Sequence, residues 1–164
     1  MKPMRKAGRQ QDENWALEVF DRAPYVTVSM MRSDGTPYGL PLSIVRKDNR
    51  TFYFHCAEEG EKIECLRANP MVSLSAVSKC FPHYEEEKNN FTEHYHSAIA
   101  VGRAEQVTED AEKTEALRLI CERLLPQYMN HFDEAISRSL HRTCVFRITL
   151  TEAAVGKMKE NVSK

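Results

Sequence analysis

The feature that most constrains the fold is the stretch YVTVSMMRSDGTPYGLPLSIVRKDNRTFYFHC, residues 25–56. Its β-branched and aromatic runs favour extended backbone, where such side chains pack on a pleated surface. They are cut by Ser33–Asp34–Gly35 and by Lys47–Asp48–Asn49–Arg50, and both interruptions carry hairpin-type turn chemistry. Three antiparallel strands follow, near 25–31, 38–46 and 51–56.

Around this core the rest of the chain falls into place. Residues 1–11 are basic and polar and are read as flexible. Asp12 is a good N-cap for a helix running to about Ala23, with Trp15, Ala16, Val19 and Phe20 on one apolar face, and Pro24 closes it. A short helix over about 61–68 ends before Pro70, and MVSLSAV (71–77) alternates as a strand does. Residues 78–93 are polar and are read as a loop. HYHSAIAVGRAEQVT then forms a long strand containing Gly102, where a glycine marks a bulge or a close backbone approach. Helices over 111–125 and 132–140 precede a last strand, TCVFRITL (143–150). Six strands with short hairpins predict an α+β, mainly β fold: an antiparallel barrel with peripheral helices rather than a doubly wound parallel sheet.

The chain length, 164 residues, suits one domain spanning 1–164. Lys plus Arg number 23 against 24 Asp plus Glu, so there is no basic field to hold a phosphate backbone, and nucleic acid is not expected as a partner. No apolar run approaches a membrane span and no secretory signal is present, which predicts a cytoplasmic protein with no membrane partner. The five cysteines, Cys56, Cys65, Cys80, Cys121 and Cys144, are widely spaced without a C-x-x-C pair, and are read as free thiols.

The chemistry concentrates in YFHCAEEGEKIECLRANP, residues 53–70. A helix N-terminus leaves backbone N–H groups without partners and binds anions readily. Gly60 lets backbone approach a ligand closely, and Lys62 lies in the first turn, where a cation opposes the helix dipole unless an anion sits between them. A phosphate resolves that conflict. Alternatively, Glu58, Glu59 and Glu61 satisfy the helix end and Lys62 points into water, and charge alone favours this second reading. A lone histidine at a strand end, such as His55, is more often a structural residue than a catalyst.

Three blocks, G-T-P-Y-G-L-P-L-S (35–43), F-H-C-A-E-E-G-E-K-I-E-C-L-R-A-N-P (54–70) and F-T-E-H-Y-H-S-A-I-A-V-G-R-A (91–104), resemble the pyridoxamine 5′-phosphate oxidase-related flavoproteins in order and spacing. Within them the chain is most similar to the nitroimidazole-reductase-like branch, whose C-terminus resembles R-I-T-L…G-K (147–157). The resemblance covers roughly residues 4–158 and implies a six-stranded split β-barrel. It further implies a homodimer with FMN in grooves at the subunit interface. By position, Pro41, Leu42 and Ser43 would run beside the flavin, and His55, Cys56 and Ala57 would turn around it. Gly60 and Lys62 would meet its phosphate, and Ser97 would approach from the long strand. The chain departs from the branch at Cys56, where serine is common, and at Val155, where threonine is common.

The resemblance implies an FMN-dependent oxidoreductase that uses NAD(P)H or another donor to reduce a small organic acceptor, with nitroaromatic compounds among the candidates. A flavin supplies the electron chemistry, so the protein need only bind, orient and tune it; His55 is the candidate catalytic residue, as a proton or hydrogen-bond donor. A non-catalytic flavin- or haem-binding carrier or redox sensor is the alternative, since fold does not fix activity. His83, His94 and His96 cluster in sequence, and His94 and His96 share a strand face as metal ligands can. Histidines near a polar loop are usually solvated, and no metal site is expected. A third reading is an interaction protein whose flavin site has decayed, against which Gly60 and Lys62 argue. No Ser-His-Asp order, G-x-G-x-x-G or P-loop occurs.

Overall fold

The computed structural model describes residues 2–160. Strand β1 (Gln10–Gln11) leads into helix α1 (Glu13–Arg22). Asp12 caps α1 as its sequence predicts: the carboxylate accepts the Trp15 N–H at 2.8 Å, satisfying one orphan donor of the first turn. Strands β2 (Val26–Met31), β3 (Pro37–Leu42), β4 (Val45–Arg46) and β5 (Thr51–Cys56) follow, then α2 (Glu61–Ala68). A long hairpin of β6 (Met71–Glu85) and β7 (Asn90–Gln106) precedes α3 (Asp110–Leu124), α4 (Phe132–Ser139), β8 (Cys144–Leu150) and β9 (Val155–Lys159).

All strand pairs are antiparallel, in the order β3-β2-β6-β7-β8-β5-β4, with β9 pairing both β7 and β1. The two ends of that path, β3 and β4, are separated in the chain by Ser43 and Ile44 alone. A sheet whose outer strands are tethered by two residues must curl back on itself, and the result is a split barrel with its seam at this tether.

The architecture is the one the sequence predicts, but the strand count is nine among the described residues rather than six. The expected strand 38–46 breaks at Ser43–Ile44 into β3 and β4, and β9 and β1 are added at the end of β7. The expected loop over 78–93 is instead mostly paired: β6 and β7 continue as a two-stranded arm to Glu85↔Asn90, past a bulge between Val77 and Lys79. The arm turns through Asn89, whose φ of 47° is left-handed.

Two apolar clusters explain the patterns. Inside the barrel, Val26, Val28, Phe52, Phe54, Leu74, Ala98, Phe146 and Ile148 pack with Leu17 and Phe20 of α1 and Ile63 and Leu66 of α2. Outside it, Tyr53 and Val145 meet Ala116, Leu117 and Ile120 of α3 and Phe132 of α4. β5 is therefore buried on both faces, which is why Phe52, Tyr53 and Phe54 run consecutively instead of alternating. Each such ring contributes roughly 1.5–3 kcal/mol by leaving water.

Gly102 marks a close approach, as expected. A Cβ there would lie 2.7 Å from Ile148 Cγ2 and 2.9 Å from the Thr149 carbonyl oxygen. No helix among the described residues is long and apolar enough to cross a membrane.

Candidate functional site

β5 ends at Cys56, and the chain turns through Ala57–Gly60 into α2. Gly60 has φ 120° and ψ 166°, a region open to glycine and almost no other residue. Its carbonyl accepts both the Ile63 N–H at 2.9 Å and the Glu64 N–H at 3.2 Å. The N–H groups of Glu61 and Lys62 precede that pattern and have no helical acceptor, and Gly60 offers no capping side chain.

Two charged residues of this first turn diverge. Glu61 turns to Arg32 at the end of β2, accepting from its Nε at 2.5 Å. Lys62 turns the other way, with Nζ 5.4 Å from the centroid of the buried Phe54 ring. One of the three carboxylates available to neutralise the helix end is thereby engaged elsewhere, and the ammonium is directed to the end of β5.

There it meets His55 and Cys56. His55 is exposed at the strand end; partial desolvation of its ring lowers its pKa, and the Lys62 ammonium lowers it further. Burial pushes the Cys56 thiol up to about 11, with Lys62 opposing. Near neutral pH this corner holds an uncharged imidazole, an uncharged thiol and one ammonium beside free backbone donors, an environment that receives an anion.

The remaining predicted residues lie elsewhere. Ser97 lines a groove of about 180 Å³ with Lys2, Met4, Ile99, Val155 and Lys157. Its hydroxyl donates to the Lys157 carbonyl oxygen at 3.5 Å. The Lys157 ammonium lies 5.3 Å from the centroid of the Tyr95 ring, whose hydroxyl also accepts from Arg9 at 3.5 Å. Burial raises the Tyr95 pKa, but hydrogen bonds from Lys157 and Arg9 outweigh it and the net direction is down. Leu42, Val26, Ala76 and Ala98 form one row across the sheet, which puts Leu42 three strand spacings, about 14 Å, from the Ser97 end of the barrel. Pro41 precedes Leu42 in β3, and Ser43 lies in the tether to β4, where Val45 pairs with Tyr53.

His55, Cys56, Ala57, Gly60 and Lys62 thus form one group, and Ser97 belongs to a second. His55 pairs with Val145, whose carbonyl accepts the Val107 N–H at 2.9 Å. From Val107 back to Ser97 is ten residues, about 33 Å of extended chain. The groove that Ser97 lines has none of the His55–Lys62 group among its lining residues. Arg32 and Cys144 are the residues that sequence reasoning missed here. Arg32 meets Glu61 across 29 positions of sequence, and Cys144 is the direct cross-strand partner of Cys56; only the register reveals either.

The histidines divide as well. His94 is buried, with its Nε2 lacking a hydrogen-bond partner, and its ring lies 4.6 Å from that of His83 and 5.1 Å from that of Phe81. His96 packs on Trp15, and its Nε2 is 3.0 Å from Glu160 Oε1 without hydrogen-bond alignment. Among the described residues no group of three or more His, Cys, Asp or Glu side chains is placed to hold a metal ion.

Residues 12–157 match the family model described as pyridoxamine 5′-phosphate oxidase. No curated protein matches the sequence. Among solved structures, a flavocytochrome from Azotobacter vinelandii superposes with a TM-score of 0.81 at 21% identity, over 96% of this chain and 72% of that one. A protein from Bacteroides thetaiotaomicron, provisionally named for 5-nitroimidazole antibiotic resistance, gives 0.77 at 22%, over 90% and 84%. An FAD and heme binding protein from Mycobacterium smegmatis gives 0.75 at 20%, over 93% and 74%.

Proposed function

The chain belongs to the pyridoxamine 5′-phosphate oxidase family, and from that premise we propose that it is a cytoplasmic, FMN-dependent oxidoreductase acting as a homodimer on a small organic acceptor. The observation that carries this reading is the head of α2: a glycine-only conformation at Gly60, free N–H groups at Glu61 and Lys62, and the Lys62 ammonium directed toward His55. These residues fit a phosphate monoester, which takes backbone donors and one cation without a side chain in the way. Bound FMN supplies two-electron chemistry that no side chain here provides.

The chain's own groups bind and orient. Lys62 and the two N–H groups hold the phosphate, and Arg32, already paired with Glu61, fixes that carboxylate away from it. His55, kept neutral by partial desolvation and by Lys62, can donate one N–H hydrogen bond to an acceptor while its other ring nitrogen accepts one. Pro41, Leu42 and Ser43 wall the ring, and the Ser97 group, which lines a groove of its own, serves the neighbouring copy's cofactor. NADPH or NADH is the donor to screen, and nitro compounds are the first acceptors, by likeness to the Bacteroides protein's name.

A visible spectrum of the purified protein, with chromatography of the released chromophore, tests the reading. Released FMN supports it. A colourless protein that fails to bind added FMN overturns it. Replacing His55 with alanine should leave flavin bound and slow turnover; unchanged turnover removes His55 from the mechanism.

Haem binding is a second reading with its own observation, the buried, unpartnered Nε2 of His94, whose ring lies tilted beside that of His83. Two of the similar structures carry a flavocytochrome or heme description. A Soret band that His94→Ala abolishes would favour it over a flavin-only protein.

A further inference from the structure

We propose that Cys56 and Cys144 are a dithiol/disulfide couple, which a low-molecular-weight disulfide oxidises to a cross-strand bridge between β5 and β8. The two residues are direct partners in the antiparallel register. Directly opposed residues of such a pair have Cα atoms about 4.5–5.5 Å apart, inside the range of about 4.4–6.8 Å that a disulfide spans. Both side chains lie on the inner face of the sheet: Cys144 is within the barrel core and Cys56 packs against it. The sulfurs are close enough to perturb each other's titration. No other pair of the five cysteines is matched in strand register: Cys65 lies on α2, Cys121 on α3, and Cys80 donates to Glu93.

Access is one-sided, which sets the order of steps. Cys144 is 3% exposed, whereas Cys56 is half-buried at the strand end. The Cys56 thiolate attacks the small disulfide RSSR, forming a mixed disulfide and releasing RS⁻. Cys144 sulfur then attacks the Cys56 sulfur, releasing the second RS⁻. Two protein S–H bonds and RSSR become one protein S–S bond and two RSH, so atoms and electrons balance. The bridge fixes the end of β5, and the 57–60 turn that leaves it, against β8.

The attacking species is the thiolate, and the Cys56 thiol titrates near 11. Oxidation is therefore slow near neutrality and quickens about tenfold per pH unit below that value. A slow couple of this kind responds to sustained oxidation, not to brief pulses.

The experiment uses the full chain in buffers of oxidised and reduced glutathione at about pH 9, held until the thiol count is constant. Acid quenching, unfolding, alkylation with N-ethylmaleimide and peptide mapping follow. The expected result is a fall from five alkylated cysteines to three, one linked peptide joining Cys56 to Cys144, and no such loss in Cys56→Ser or Cys144→Ala. Five alkylated cysteines in the most oxidising buffer, or a linkage to any other cysteine, would overturn the proposal. None of this depends on the FMN reading, because the cross-link is mapped with no flavin added.

Discussion

Lys62 Nζ stands 5.4 Å from the centroid of the Phe54 ring, so a cation from the first turn of α2 is folded back over a ring that is itself fully inside the barrel. The contact limits where the ammonium can go. It ties a flexible four-carbon side chain to the end of β5 and keeps its charge beside His55 and Cys56, whose titrations both register it.

Replacing Lys62 with methionine should weaken FMN binding by roughly ten- to a hundredfold, the loss of one charge-assisted hydrogen bond of about 1.5–3 kcal/mol. Riboflavin lacks the phosphate, and its affinity should be nearly the same for both proteins. Fluorescence titration with the two ligands reads the difference; an equal loss for both would detach Lys62 from the phosphate.

The His55 imidazole contributes a pH dependence of definite sign. Partial desolvation first, and Lys62 second, put its folded-state pKa below the ordinary 6.5. Between the two values the unfolded chain holds the proton and the folded chain does not, so folding stability declines as pH falls from about 6.5 and levels off once the folded protein is protonated as well. Thermal midpoints of the native protein and His55→Gln between about pH 7.5 and pH 5 should diverge with that slope, and Lys62→Met should narrow the window by removing the second cause. Parallel curves for native and His55→Gln would contradict the assignment.

Arg123 holds three parts of the chain at one point. Its guanidinium donates to the carbonyls of Phe20 at 3.3 Å, Asp21 at 3.0 Å, Ala23 at 2.7 Å and also Ile44, joining the end of α1 and the β3–β4 tether to α3. Arg123→Met should cost about 2–4 kcal/mol in urea unfolding, since carbonyls in a sheltered corner lose a charged donor. Arg138→Met, which removes an exposed pair with Glu134, should change stability by less than about 0.5 kcal/mol.

Gly102→Ala should destabilise by about 1–3 kcal/mol, because β8 backbone and Ile148 must move to admit the methyl group. Gly8→Ala, whose added carbon meets nothing within 4 Å, is the control. Equal melting temperatures for the two variants would show that β7 and β8 yield more easily than their packing implies.

Gly102 also illustrates how far the sequence could be read. A glycine inside an otherwise β-rich run signals close approach through its own backbone chemistry, and α1 announces itself through Asp12 and Pro24 in the same local way. β5 and α2 lie where strand runs, turn residues and Pro70 put them. The paired arm from Lys79 to Glu85 was not legible, since a two-stranded ribbon with both faces largely exposed has no reason to alternate apolar and polar residues. β9 was missed because VGKMK is short and gains its order from β7, a partner about 60 positions away in register, as Ser97↔Lys157 shows. Within the candidate site, the anion-ready turn at Gly60 and Lys62 was visible as residue chemistry. The separate groove that Ser97 lines was not, because which strands share a groove emerges only when pairing is known.

That separation has a genetic consequence. If each cofactor groove is shared between two copies, lesions in the Lys62 group and in the Ser97 group fall on different halves of every groove. Two inactive variants, one altered in each half, would upon mixing rebuild one undamaged groove in each mixed dimer, so defects that are each complete alone would partly complement one another.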